Sequence, residues 1–434
     1  MSTGAHYGQL ERHLHELRSR SDDVRLGAAR GIRSVVAQEA RELPSDIFAK
    51  LIGALSRHIF ELAHAHDAHD RQSGVLIIEA IIDIETDNDA AKLSRFATCL
   101  HRLLEYSTDA ITITMSTRAL GRLARLGGSV TADFVEVQLK LSLEWLASGD
   151  RVEGRRLAAA LVLRELADNV PTLFSLHVGQ FLAQLWHAVY DPKAQVREAA
   201  VAALAACLRM IGARSTVHAA QWHVSVANEA MAGVRGARAG GSSEAVHGAL
   251  CALGELLRHR CDHLHEPQRF ALMCALAREH FGARDRLVRR ALVALVARLS
   301  EFDKAAFASG PISELFPFVL NVVKAHNTPE ARAHAFEAAG EIALAVGARA
   351  MAPYLPELLG ACADALPRKP SQKRPYLLEA VTCVGRLCLA CADGELMRAP
   401  LADGLLEGML HGGLTPQLVE ALLPLCARVP ALAP

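Results

Sequence analysis

The sequence predicts an all-α fold, a solenoid of antiparallel helix pairs wound into a right-handed superhelix. Three observations lead there. Ala and Leu dominate the composition while aromatics are scarce, a polar turn motif returns at a nearly constant interval, and an amphipathic helical pattern fills each interval. Of the 434 residues, 51% are apolar and only 5% aromatic, which favours side chains that lose little entropy in a helix. Strand-like runs such as Ile111-Thr112-Ile113-Thr114 are isolated between helical patterns.

The recurring motif is a short polar turn with Asp, then Val-Arg or Arg-Arg, then an Ala/Gly-rich apolar helix. It reads SDDVRLGAARGI from Ser21, HDAHDRQSGVLIIEAI from His66, STDAITITMSTRALGRLA from Ser107 and SGDRVEGRRLAAALVLRELA from Ser148. Further copies are DPKAQVREAAVAALAACL from Asp191, GSSEAVHGALCALGELL from Gly241, ARDRLVRRALVALVARLS from Ala283 and NTPEARAHAFEAAGEIAL from Asn327. A weaker one, KRPYLLEAVTCVGRLCLA, starts at Lys373. The turn acids Asp22, Asp67, Asp109, Asp150 and Asp191, then the turns at Ser243, Asp285 and Thr328, recur about every 41 to 45 residues. One interval is longer, about 52, and holds the Gly-rich stretch MAGVRGARAGGSS. This period is that of HEAT/armadillo repeats.

Within each copy the turn acid is placed to cap the following helix and complement its dipole. The Arg that follows is placed to pair with the acid of a neighbouring repeat, giving a structural ladder of Asp22, Arg25, Asp67, Arg71, Asp109, Asp150, Arg155, Asp191, Arg197, Asp285 and Arg289. Small residues (Gly27, Ala28, Ala29; Ala158 to Ala160; Ala199, Ala200, Ala202, Ala203) are expected where helices approach closely. The intervening first helices are expected at Ile47 to Leu62, Leu93 to Leu104, Phe134 to Leu146 and Val178 to Val189, then at Pro267 to Glu279, Ile312 to Lys324 and Tyr354 to Ala365. One hairpin cannot bury its apolar face alone, so the units must stack. The organisation expected is about five repeats over residues 1–232, a Gly-rich loop over 233–243, and about four more over 244–434.

Charge and cysteines narrow the function classes. Lys plus Arg equals Asp plus Glu at 47 each, so nothing favours bulk capture of nucleic acid or anionic lipid. The ten Cys are scattered, mostly through apolar helical stretches, and read as reduced, buried thiols of a cytosolic or nuclear protein, with the cytoplasm the expected location. The opening MSTGAHYGQLERHLHELRSR has no apolar signal core, and the apolar run Val75 to Ile84 is broken by Glu79 and Asp83, so no membrane span is expected.

Candidate chemistry is thin. His64, His66, Asp67, His69 and Asp70 are residue types that bind zinc, but they fall on an inter-helix turn where polar residues are expected anyway. Cys388 and Cys391, with Cys383 nearby, form a C-x-x-C inside an apolar helix without a second pair. The pairs His13/His15 and His263/His265 are no stronger. No phosphate-loop, nucleophile-elbow, H-E-x-x-H or kinase signature occurs. Catalytic, metal and cofactor residues are therefore expected to be absent. Arg155-Arg156, Arg289-Arg290 and Lys369 to Arg374 are short basic clusters, read as solvated or ladder residues with an acidic-partner patch as the alternative.

Several strings go beyond a generic repeat: HIFEL at His58 leading into RQSGVLIIEAIIDIE, RFA at Arg95 leading into HRLL, SLEWLASGDRVEGRRLAAALVLRELADNVPTLF at Ser142 and YDPKAQVREAAVAALAACL at Tyr190. With VHGALCALGELL at Val246 and YLPELLGACADALP at Tyr354, they resemble the N-terminal HEAT-repeat region of the target-of-rapamycin (TOR) Ser/Thr protein kinases. The likeness is densest over Leu143 to Leu208. The family's long insertion after the VHGAL-type helix is short here, around Arg258 to Pro267, and its later repeats and kinase domain have no counterpart. The resemblance implies a non-catalytic scaffold in growth and nutrient signalling. Its expected partners are a raptor-like adaptor and a small Ras-like GTPase, and through such partners it is expected to reach endomembrane surfaces. The ending ALLPLCARVPALAP lacks a polar cap, which suggests a piece of a longer kinase. The alternative is an unrelated HEAT adaptor such as a nuclear-transport receptor or phosphatase scaffold.

Overall fold

The computed structural model describes residues 2–147, 151–214, 218–236, 239–259, 262–325, 328–366, 377–390 and 400–428. Among them the regular structure is entirely helical, as an Ala/Leu-rich chain with a helical period requires. The chain folds as two compact units, Met1–Thr216 and Val217–Pro434.

In the first unit, helices α1 (Ser2–Glu16) and α2 (Asp22–Glu42) form a hairpin, followed by α3 (Ser45–Ala63) with α4 (Ala68–Ile81) and α5 (Asp89–Tyr106) with α6 (Ala110–Gly127). Next come α7 (Ala132–Ala147) with α8 (Glu153–Asn169), the short α9 (Pro171–Phe174), and α10 (Val178–Val189) with α11 (Ala194–Ala213). The second helices stack in sequence, α2 on α4, α4 on α6, α6 on α8 and α8 on α11. First helices form the other layer, with α3 against α5 and α7 against α10.

The second unit repeats the plan. Its helices are α12 (Ala219–Val234), α13 (Ser243–Arg258), α14 (Pro267–Glu279), α15 (Arg286–Phe302), the short α16 (Lys304–Ser309) and α17 (Ile312–Lys324). Then follow α18 (Pro329–Met351), α19 (Leu355–Ala365), α20 (Leu378–Ala390), α21 (Pro400–His411) and α22 (Pro416–Arg428). Here α13, α15, α18, α20 and α22 stack as one layer and α12, α14, α17, α19 and α21 as the other. Helix α18 breaks at Gly347, whose φ of 78° is open to glycine and costly for a residue with a Cβ.

The first helices lie where the apolar period places them: α10, α14 and α17 span Val178–Val189, Pro267–Glu279 and Ile312–Lys324. The strand-like Ile111 to Thr114 is helical. It sits in the first turns of α6, where Thr114 Oγ1 donates to the Ala110 carbonyl at 2.8 Å and Ile113 is buried. A β-branched run yields to the helix because its apolar side chain enters the layer between repeats.

Small residues set the spacing between helices, though not at every expected place. Ala158, Ala159 and Ala160 are fully buried in α8, and Ala200 and Ala203 in α11. Gly27 corrects the expectation: it is exposed, and a Cβ there would meet nothing within 4 Å. The close approach is made instead by Gly154, where an added Cβ would lie 2.5 Å from the backbone carbonyl of Ser107.

Candidate functional site

The features with most chemistry are the turns that open each second helix. Asp67, Asp109 and Asp285 cap α4, α6 and α15 through bonds from His69 N (2.7 Å), Thr112 N (2.8 Å) and Leu287 N (2.7 Å). Each satisfies an amide that the helix leaves without a partner. Asp22 lies inside the first turn of α2, and Ser21 at its N-cap makes no side-chain cap bond. Asp150 lies outside the described residues. Ser242, one residue before the expected turn position, caps α13 through Ala245 N at 3.2 Å, whereas Thr328 precedes α18 without a side-chain cap bond.

The arginines act largely on the backbone of these turns. Arg25, 3% exposed, donates to the Ser19 carbonyl at 3.0 Å and pairs with Asp22. Arg71 donates to the carbonyls of Ala65 (2.9 Å) and His66 (2.8 Å), and Arg197 to those of Asp191 (2.7 Å) and Pro192 (3.0 Å). A guanidinium has several donors in a fixed fork, so one side chain holds the end of a turn closed. Arg155 reaches back to the Glu105 carbonyl at 3.2 Å and stacks over Trp145 at 5.9 Å.

Two connections between repeats run through residues outside the expected ladder. Arg25 Nη2 donates to Gln72 Oε1 at 3.1 Å, and Gln72 Nε2 donates to Asp109 Oδ2 at 3.1 Å. A neutral amide thus relays a cation to an acid across three successive repeats. Arg156, not Arg155, reaches Asp191: Nε donates to Oδ2 at 2.6 Å and Nη2 to Oδ1 at 3.3 Å. The Asp191 carboxylate also accepts from Lys193 N at 2.8 Å, so this buried acid is held by donors of two repeats.

A second row of contacts lies towards the C-terminal ends of the second helices. Arg33 of α2 forks onto Asp83 (2.5 and 3.0 Å) and donates to the Ala80 carbonyl at 2.7 Å. Arg122 of α6 donates to the Glu79 carbonyl at 3.1 Å, Arg209 of α11 reaches Asp168 at 2.9 Å, and Arg386 of α20 donates to the Glu337 carbonyl at 3.1 Å. At the C-terminal ends of α4 and α8 such cations match the helix dipole, whereas the Glu337 carbonyl lies in the middle of α18. These arginines follow the Ala-rich stretch, away from the turn signature, and only the pairing of helices identifies them.

The candidate chemical clusters are occupied structurally. His64 stacks on Phe60 with ring centroids 6.0 Å apart, and its Nδ1 lies 2.6 Å from the Phe60 carbonyl, while Asp67 is spent on its cap. Among the described residues no group of three His, Cys, Asp or Glu stands where it would hold a metal ion. His13 bonds Glu16 at 2.9 Å, and His265 stacks on Phe302 at 4.0 Å. Cys383 and Cys388 are buried in α20, whereas Cys391 and the Lys369 to Arg374 cluster lie outside the described residues. Burial pushes the thiols of Cys99, Cys207 and Cys274 up to about 12. No described helix is long and apolar enough to cross a membrane.

One basic groove stands apart. Between α15 and α18 a cavity of about 550 Å³ is lined by Arg284, Arg286, Arg289 and Arg290. Arg289, expected as a ladder residue, thus lines a groove.

Comparison with known proteins places this architecture. No family model matches the chain. It is 37% identical over 94% of its length to the Ser/Thr-protein kinase TOR of Oryza sativa subsp. japonica. It is 34% identical over its whole length to the TOR kinase of Arabidopsis thaliana and 33% over 97% to tor1 of Schizosaccharomyces pombe. The chain spans 16% and 17% of the length of the two plant relatives. Among solved structures, importin beta matches 98% of the chain with a TM-score of 0.56 at 13% identity, covering 59% of that chain. Kap121p bound to Nup53p matches 100% with a TM-score of 0.54 at 12% identity, covering 50% of that chain. At such identities these neighbours speak for the fold alone, an α-solenoid of HEAT type. This chain is homologous over nearly its whole length to the TOR-family serine/threonine kinases and has the HEAT-type solenoid expected of their N-terminal repeat region.

Proposed function

We propose that this chain serves as a scaffold arm in growth and nutrient signalling, binding a raptor-like adaptor and a small Ras-like GTPase and carrying no phosphotransfer chemistry itself. What carries the reading is the 37% identity sustained over 94% of the chain, because a shared fold alone would not keep such likeness. The helical layers support it: every described ladder acid and arginine serves the repeat itself except Arg289. The arm would work in the cytoplasm and reach endomembrane surfaces through its partners.

Affinity capture of the tagged 434-residue chain at low salt tests this. Recovery of a raptor-like adaptor is expected. Repeated recovery of transport cargo or a phosphatase catalytic subunit in its place overturns the reading in favour of an unrelated HEAT adaptor.

A further inference from the structure

The groove between α15 and α18 differs from every other arginine-bearing surface described above. The arginines of the turns and of the second row of contacts described above are absorbed by carbonyls and carboxylates of the repeat. Here four guanidiniums, of Arg284, Arg286, Arg289 and Arg290, line one cavity with a single carboxylate, Glu330, among its walls. Glu330 is taken by Arg286 at 3.0 Å. Among the described residues, the guanidiniums of Arg284, Arg289 and Arg290 have no hydrogen-bond or ion-pair partner. The nearby Asp285 is committed to capping α15 through Leu287 N and Val288 N, and His334 leans on Glu337 at 3.5 Å. On a chain whose formal charges balance, this is a local cationic surplus.

The walls are not charged throughout. Leu287, Val293, Val322 and Ala331 also line the cavity, so an apolar floor lies under a basic rim. An inorganic anion would use only the rim. A linear peptide with an apolar side chain flanked by carboxylates would use both, its acids meeting guanidiniums that have no other partner and its apolar side chain leaving water against Leu287 and Val322.

We infer that this groove is a docking site for an acidic linear peptide segment of a partner protein, anchored by an apolar residue. The inference rests on the protein-binding reading of the chain but not on the identity of any adaptor. Titration with a synthetic peptide needs no cellular partner, so it can fail or succeed independently of the affinity capture.

The probe is a fluorescein-labelled peptide with a Leu-Phe pair between runs of Asp and Glu, titrated with the full chain and read by anisotropy. Saturable binding is expected, weakening steeply as salt rises. R289E/R290E should weaken it at least about tenfold, since charge reversal sets like charges together. Leu287→Asn should weaken the same peptide while leaving unchanged the binding of a control peptide with Asn-Asn in place of Leu-Phe. Circular dichroism and melting temperature confirm that both variants fold. The proposal is overturned if the peptide does not bind the folded wild-type chain, or if the control peptide or inorganic pyrophosphate binds as tightly, which would make the groove an anion patch. Tighter binding of a single-stranded RNA than of the peptide also overturns it.

Discussion

The Arg156 guanidinium grips the Asp191 carboxylate with two parallel donors, Nε to Oδ2 at 2.6 Å and Nη2 to Oδ1 at 3.3 Å, joining the second helix of one repeat to the turn of the next. Asp191 is 3% exposed, so removing its cation would strand a charge away from water. Arg156→Met is expected to cost about 3 kcal/mol in urea unfolding. Paired with Asp191→Asn it should cost less than the sum of the two single changes, because the double variant leaves no stranded charge. Strict additivity would show that the two residues do not act as a pair.

Helix α8 approaches the turn before α6 so closely that only glycine fits at position 154. A Cβ there would lie 2.5 Å from the Ser107 carbonyl oxygen, a backbone atom that cannot swing aside. Gly154→Ala should destabilise the chain by about 1–3 kcal/mol. Gly254→Ala in the middle of α13, where a Cβ meets nothing within 4 Å, should stabilise it by up to about 1 kcal/mol. Opposite signs in thermal denaturation are the expected outcome; equal effects would count against the packing argument.

Acid should loosen the first unit through Asp83 and Asp109. Hydrogen bonds from Arg33 hold the Asp83 carboxyl below its ordinary value. Burial raises that of Asp109, but donors from Thr112 and Gln72 outweigh it and the net direction is downward. A carboxyl depressed in the folded state gives stability that is complete above its unfolded value of about 3.9 and is lost as pH falls through the lower folded value. Unfolding midpoints should therefore drop below about pH 4. Asp83→Asn with Asp109→Asn should flatten that limb, and an unchanged limb would place the effect on other carboxylates.

Cys99 and Cys207, with thiols pushed up to about 12 by burial, should resist alkylation in the native chain at mildly basic pH and react fully in urea. Peptide mapping by mass spectrometry checks both sites. Rapid native labelling of Cys207 would contradict its full burial in α11.

Gln72 links Arg25 to Asp109 although it carries no charge. Gln72→Leu, which removes both bonds but keeps the volume, should cost about 1–2 kcal/mol by leaving the buried Arg25 and the half-buried Asp109 each one partner short. A loss no larger than that of an exposed Gln would show that water replaces the relay.

Much of this architecture is legible along the chain. A repeating Asp turn followed by an Ala-rich apolar stretch specifies a helix start and a small-residue face, both local properties, and Asp67, Asp109 and Asp285 cap their helices as that logic requires. The boundaries of α10, α14 and α17 follow from the apolar period alone. The ladder is legible only in outline. Arg155 and Arg156 are adjacent on one helix and alike in chemistry, and which of them meets the next repeat depends on the rotation of α8 against α11. Gln72 gives no charge signal, and the Arg33 to Asp83 fork joins residues whose sequence context is ordinary.

What the sequence determined by itself, then, is the helix-pair repeat, its period and its likeness to the TOR kinases, because capping, helical periodicity and shared strings are all written along the chain. Only tertiary structure decided which arginine pairs with which acid, that Gly154 and not Gly27 permits close packing, and that the basic run from Arg284 to Arg290 faces Val322 and Ala331 across one groove. The reason is geometric. A side chain's partner is set by how two helix faces are turned against each other, and residues brought together by stacking are a full repeat apart in sequence, where no local pattern connects them.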